Sequence, residues 1–174
     1  MQIKKNIKLG LLFILLSIAF IGFYISLFKD KKVDPQVLIN KELPDLKGKS
    51  LFSNKNIDIK NLNLDEAFII NIFASWCAPC KVEHPYLVKL KNQNLKIIGI
   101  NYKDTDKNAK LFLSKYENPY HKVLVDKDSE LSINLGAYGV PETYLVNSNN
   151  VIILKHIGPI DENFYNSVLE NKWN

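Results

Sequence analysis

The stretch from Ala67 to Glu83, AFIINIFASWCAPCKVE, constrains the fold more than any other part of the chain. It opens with a nearly continuous apolar run rich in isoleucine (67–74), the pattern of a strand buried on both faces. Two thiols follow three positions apart, Cys77 and Cys80, and the chain has no other cysteine. The next residues, KVEHPYLVKLKNQ, place Val82, Tyr86, Leu87 and Leu90 on one side of a helix. Pro85 is awkward there, since a proline inside a helix removes a hydrogen bond. A buried strand running into a helix that begins on its thiols points to an α/β domain.

The rest of the chain extends this pattern. KIIGINY (96–102) reads as a second buried strand and TDKNAKLFLSKY (105–116) as a helix capped by Thr105. HKVLVD (121–126) is a third strand, and SELSINLG (129–136) a short helix closed by Gly136. TYLVNS and VIILKHIG form two strands joined by a turn at 147–150, and a last helix starts after Asp161. Alternating strands and helices followed by a hairpin predict a mixed central sheet with helices on both faces.

The N-terminus differs in kind. Leu9 to Phe28 is twenty residues without a charge, about 30 Å as a helix, which matches the hydrocarbon thickness of a bilayer. Lys4, Lys5 and Lys8 precede it, Lys29, Lys31 and Lys32 follow, and YISLFKDKK has no small-residue cleavage site. The expectation is an uncleaved signal anchor. It divides the chain into an N-terminus (1–8), a transmembrane helix (9–28), a tether (29–42) and one domain (43–174). The flanking lysines are equal in number, and Asp30 with the free amino terminus leans toward 1–8 in the cytoplasm and the rest outside. Six of the 23 basic residues and one of the 18 acidic residues lie in 1–32, which leaves 17 of each for the remainder. The net charge of +5 therefore belongs to topology, and no basic stripe for nucleic acid exists.

Two cysteines at this spacing allow a haem attachment, a zinc site, a structural bridge or a redox pair. Haem attachment needs a histidine where Lys81 stands. Zinc needs four ligands, and His84, His121 and His156 form no ligand pair, so no metal is expected. A bridge closing so short a loop does little to the unfolded chain. A redox-active dithiol fits best, with no other cofactor. Cys77 at the start of the helix is the accessible attacking thiol, and Cys80, one turn in, the shielded resolving thiol. Glu83 shares the helix face of Cys80 and is placed to take its proton.

FASWCAPC after a strand, with GVPETYLV near the C-terminus, resembles the thioredoxin-like proteins. The order ASWCAPCKVEHPYL, GINYKD, NPY, LGAYGVPETYLV and HIGPI is similar to the membrane-anchored thiol–disulfide interchange proteins of cytochrome c biogenesis, the CcmG/DsbE family. The resemblance covers residues from about Leu43 onward. It implies a thioredoxin-like fold and a reductant of the CxxCH cysteines of apocytochrome c, or of a haem-ligation chaperone holding it. A DsbD/CcdA-type membrane thiol transporter would supply the electrons. It also implies a cis-proline at Pro141, pairing of a substrate strand with the Val140 backbone, a shaping role for Trp76, and acidic residues around the dithiol at Glu83 and Glu142. Asn71 departs from the aspartate that general thioredoxins bury at its position, which shifts proton acceptance to Glu83. Tyr138 lines the same groove or is a turn aromatic, and His84 is expected on the helix surface. Two other readings stay open: an oxidant that inserts disulfides, and a non-enzymatic holdase for apocytochrome or haem.

Overall fold

The computed structural model describes residues 2–27, 38–53, 55–62, 64 and 66–170. The chain divides into two units, 1–34 and 35–174. The first contains helix α1 (Gln2–Leu27), whose described side chains from 10 to 25 are exposed, Leu11, Phe13, Ile14, Leu15 and Leu16 among them. Side chains 2–6, 8, 9, 12, 26 and 27 are outside the description, as is residue 28. Among the described residues no helix is long and apolar enough to cross a membrane, so the anchor at 9–28 stays an expectation.

The second unit is built on one sheet. Its strands are β1 (Lys41–Glu42), β2 (Lys47–Ser50), β3 (Asn56–Asp58), β4 (Phe68–Phe73), β5 (Lys96–Tyr102), β6 (Lys122–Asp126), β7 (Glu142–Val146) and β8 (Val151–Ile157). They lie in the order β1-β8-β7-β4-β5-β6-β2-β3. β4, β5 and β6 are parallel, as their crossover helices require, and the remaining neighbours pair antiparallel. All six residues of β4 are buried, in keeping with the apolar run that predicts it. The short polar pieces β1, β2 and β3 carry no periodicity that the sequence reading could use. β1 pairs with β8, so hydrogen-bonded structure reaches into the last residues of the 29–42 segment.

The helices are α2 (Ala78–Asn92), α3 (Asp106–Tyr116), α4 (Glu130–Asn134) and α5 (Glu162–Glu170). One face of the sheet carries α2, α3 and α5 through Leu87, Leu90, Phe112, Leu113, Phe164 and Val168, packed on Ile69 and Phe73 of β4. The other face buries Phe68, Ile70, Ile72, Tyr144 and Val146 against Ile59, Leu131 and Leu135. The caps expected at Thr105 and Asp161 form: Asn108 N–H donates to Thr105 Oγ1 at 3.2 Å and Phe164 N–H to Asp161 Oδ1 at 2.8 Å. Helix α2 runs through Pro85.

The packing face of α2 differs from the expected one. Its buried residues are Cys80, Glu83, His84, Leu87 and Leu90, while Val82 is 66% exposed. His84 is therefore not a surface residue. Its Nε2 lies 2.7 Å from the Glu117 carbonyl and its ring meets Phe112 edge-on at 5.0 Å. Burial holds its imidazole below the usual range, with the Glu117 carbonyl opposing.

Candidate active site

β4 ends at Phe73 and α2 begins at Ala78, so the intervening loop delivers Cys77 as the N-cap of the helix. Cys77 and Cys80 are joined in a disulfide with Cα atoms 5.3 Å apart. Cys80 N–H donates to Cys77 Sγ at 3.1 Å, the position an N-cap oxygen takes in other helices. In this oxidised form the expected contrast in exposure is absent: Cys77 is 3% exposed and Cys80 2%. What separates the two sulfurs is their place on the helix. Cys77 sits outside the first turn, where unpaired N–H groups favour a thiolate, and Cys80 sits within it.

The loop is clasped from the end of β5, a feature missed in the sequence. Asp104, itself buried, accepts from Ser75 N–H at 2.7 Å, Asn101 Nδ2 at 3.2 Å and Thr105 N–H at 2.7 Å. Trp76, 55% exposed, donates Nε1–H to the Lys103 carbonyl at 3.1 Å. The NYKD motif (101–104) thus holds the two residues before Cys77 in place. Its position at the end of the strand neighbouring β4 is the signal in the sequence that marks it.

One turn beyond Cys80, α2 buries Glu83 in a polar cluster. Glu83, 0% exposed, accepts from Asn71 Nδ2 at 2.8 Å through Oε1 and from Ile160 N–H at 3.0 Å through Oε2. Asn71 Nδ2 also donates to Thr143 Oγ1 at 3.0 Å, and Tyr120 Oη donates to Asn71 Oδ1 at 2.7 Å. Burial pushes the Glu83 carboxyl up to about 7, against the opposing pull of the Ile160 and Asn71 donors. Burial and then the Glu83 charge push the Tyr120 phenol well up, so its hydroxyl stays a donor. The Tyr120 ring stacks on Phe73 at 4.7 Å, and Gly99 makes the space: a Cβ there would stand 3.0 Å from both rings.

β7 pairs antiparallel with β4, Ile72 facing Glu142. Continuing that register puts Pro141 beside Phe73 and Val140 beside Ala74, at the strand end where the Cys77 loop departs. The Val140–Pro141 peptide is cis. Val140 is half-buried and packs on the cluster that contains Cys77 and Cys80.

Glu142 does not join them. Strand alternation sends it to the sheet's other face, with Tyr144 and Val146. There it is 0% exposed, ion-paired with Lys155 at 3.1 Å, and accepts from Tyr144 Oη at 2.8 Å and from the Tyr138 and Gly139 N–H groups. Lys155 Nζ also donates to the Gly136 carbonyl at 2.7 Å and lies 4.6 Å from the centre of the half-exposed Tyr138 ring. Glu142, expected among the substrate-binding residues, is placed by these contacts on the 136–139 turn that leads into Val140 and Pro141.

The redoxin family model matches residues 39–172. The chain is 36% identical over 150 residues to the thiol:disulfide interchange protein DsbE of Pseudomonas fluorescens biotype C, covering 86% of this chain and 84% of the relative. It is 33% identical over 141 residues to the thiol:disulfide interchange protein HelX of Rhodobacter capsulatus, covering 81% and 80%. The solved structure of a DsbF homologue from Corynebacterium diphtheriae superposes with a TM-score of 0.66 at 19% identity, over 75% of this chain and 85% of that one. A helix-capping disulfide on a thioredoxin-like mixed sheet, matched over most of its length by these relatives, makes the protein a thiol–disulfide oxidoreductase of the CcmG/DsbE family.

Proposed function

We propose that the protein is a reductant held at the cytoplasmic membrane by residues 9–28, with its domain in the periplasm, and that it reduces the CxxCH cysteines of apocytochrome c or a mixed disulfide that holds them. The reading rests on Glu83, a buried carboxyl one turn beyond Cys80 with a proton affinity raised into the neutral range. The Cys77 thiolate attacks a sulfur of the substrate disulfide; that bond breaks, a mixed disulfide forms, and the departing substrate thiolate takes a proton from water. Cys80 gives its proton to Glu83 and attacks Cys77 Sγ. The second substrate thiol is released and the Cys77–Cys80 disulfide forms. Two electrons have passed to the substrate, and a membrane thiol transporter of the DsbD/CcdA type restores the dithiol.

The direction follows from what stabilises the thiolate. About 150 mV, or roughly 7 kcal/mol, separates a reducing member of this fold from a strongly oxidising one. Cys77 has the Cys80 N–H and a helix terminus worth about 0.3–1 kcal/mol when exposed, and Ala78-Pro79 offers no side-chain donor. That supports a weakly stabilised thiolate and a low potential. The uncharged run 9–28 and the apolar side chains exposed along α1 support the anchor.

The test is the full-length Cys80→Ser variant expressed in its own cells. It should accumulate a mixed disulfide through Cys77 with a CxxCH-bearing protein or its chaperone. Capture only of proteins without that motif, or a potential near that of the strong oxidants, overturns the assignment.

A further inference from the structure

The NPY (118–120) and HIGPI (156–160) segments both reach the buried cluster: HIGPI supplies the Ile160 N–H to Glu83, and NPY supplies the Tyr120 hydroxyl to Asn71. An asparagine side chain can turn over, exchanging its oxygen and nitrogen. With Nδ2 toward Glu83 the amide stabilises a carboxylate. Turned over, Oδ1 would face Glu83 and accept a hydrogen bond only from the protonated acid. The Tyr120 hydroxyl donates to Oδ1 at 2.7 Å, which polarises the amide and strengthens the bond that Nδ2 donates to Glu83 in the first orientation. Its ring cannot drift, because Phe73 stacks on it and Gly99 leaves no further room.

We propose that Tyr120 is a positioning residue for thiol–disulfide exchange: by donating to Asn71 Oδ1 it strengthens the Nδ2 bond to Glu83 and holds that carboxylate ready to accept the Cys80 proton. The inference rests on Glu83 being the base for Cys80. Among the described residues, Glu83 is bonded by neutral Asn71 of β4 and by the Ile160 N–H before α5. Asn71 is in turn bonded to Thr143 of β7 and Tyr120 of the β5–β6 connection, and Cys80 is buried one turn earlier on the same helix. His84, next in sequence, turns its ring to the Glu117 carbonyl. Removing the tyrosine hydroxyl leaves a buried acceptor unpaired in the orientation that suits the carboxylate. The balance then moves toward protonated Glu83, and the pH at which Cys80 is deprotonated rises.

The reduced full-length protein is mixed with the aromatic disulfide 5,5′-dithiobis(2-nitrobenzoate). The first thiolate released reports Cys77 attack and the second reports Cys80 attack, so the second phase is followed against pH. Tyr120→Phe should raise its midpoint by about 1 pH unit, the size expected for one hydrogen bond. It should raise nothing in an Asn71→Ala background, since Tyr120 acts through that amide. An unmoved midpoint, or the same rise without Asn71, overturns the proposal. If Glu83→Gln leaves the second phase as pH-dependent as before, the underlying assignment of the base fails instead. Should Tyr120→Phe not fold, 3-fluorotyrosine incorporation, which makes the hydroxyl a stronger donor, should lower the midpoint only when Asn71 is present; no change overturns the proposal.

Discussion

Glu83 on α2 and Ile160, 77 positions later, are joined by a 3.0 Å hydrogen bond from the Ile160 N–H to Glu83 Oε2. It ties the helix bearing the thiols to the segment that enters α5, beside a carboxyl that is fully buried. Burial raises Glu83 from 4.5 to about 7, so between these values the native state binds a proton more strongly than the unfolded chain. Stability should therefore fall as pH rises through that window, by roughly 3 kcal/mol in total. Urea unfolding of the oxidised protein at several pH values checks this: the slope should be present in the wild type and absent in Glu83→Gln. The same variant should slow the Cys80 step by about 100-fold, the lower range for a positioned acid–base group.

Asp104 binds the redox loop without touching sulfur. Asp104→Ala leaves the half-buried Ser75 N–H without its acceptor and should lower stability by about 1 kcal/mol. It should also lower the alkylation rate of reduced Cys77, because the loop that sets the N-cap geometry loosens. Asp104→Asn, which keeps one oxygen acceptor, should recover part of both losses.

The Glu142–Lys155 pair should behave as a buried structural bridge. Removing one partner, as in Lys155→Met, should cost about 3–5 kcal/mol in urea unfolding, because an unpaired charge is left inside. The Glu142→Gln, Lys155→Met double variant should be less damaged than the sum of the two single variants. Equal damage in the sum and in the double variant would show that the two side chains do not interact.

The N-terminal helix gives a cellular prediction. The full chain should sediment with membranes and resist alkaline extraction, and a chain lacking residues 1–34 should appear in the soluble periplasmic fraction when supplied with a cleavable export signal. Extraction of the full chain by alkali alone would remove the anchor from the account.

Periodicity made much of this fold legible. The isoleucine-rich run of β4 and the start of α2 on Cys77 follow from local pattern, and so does the pairing of the two C-terminal strands, whose turn is held by Asn147. Rotation of α2 did not follow. Val82 and His84 are two positions apart, and only the surrounding helices decide which one is covered, here Phe112 and Tyr116 of α3 around His84. Glu142 shows a second limit. Adjacency to Pro141 suggested adjacency to the dithiol, but the two-residue period of a strand put its carboxylate on the opposite face. Strands β2 and β3 were illegible because KGKS and NID carry no apolar alternation; β2 is placed by pairing with β6, and the edge strand β3 by pairing with β2. Tyr120 and Ile160 reach the site only through tertiary contact, yet both stood in motifs already visible in the chain.

The most direct measurement is iodoacetamide labelling of the reduced full-length protein against pH, with each thiol quantified by peptide mass. Cys77 should be modified first and should titrate below an ordinary peptide cysteine, about 8.5, while Cys80 stays protected until much later. Labelling of Cys80 ahead of Cys77, or a Cys77 no more reactive at neutral pH than the same thiol in the denatured chain, would contradict the assignment of attacking and resolving sulfurs.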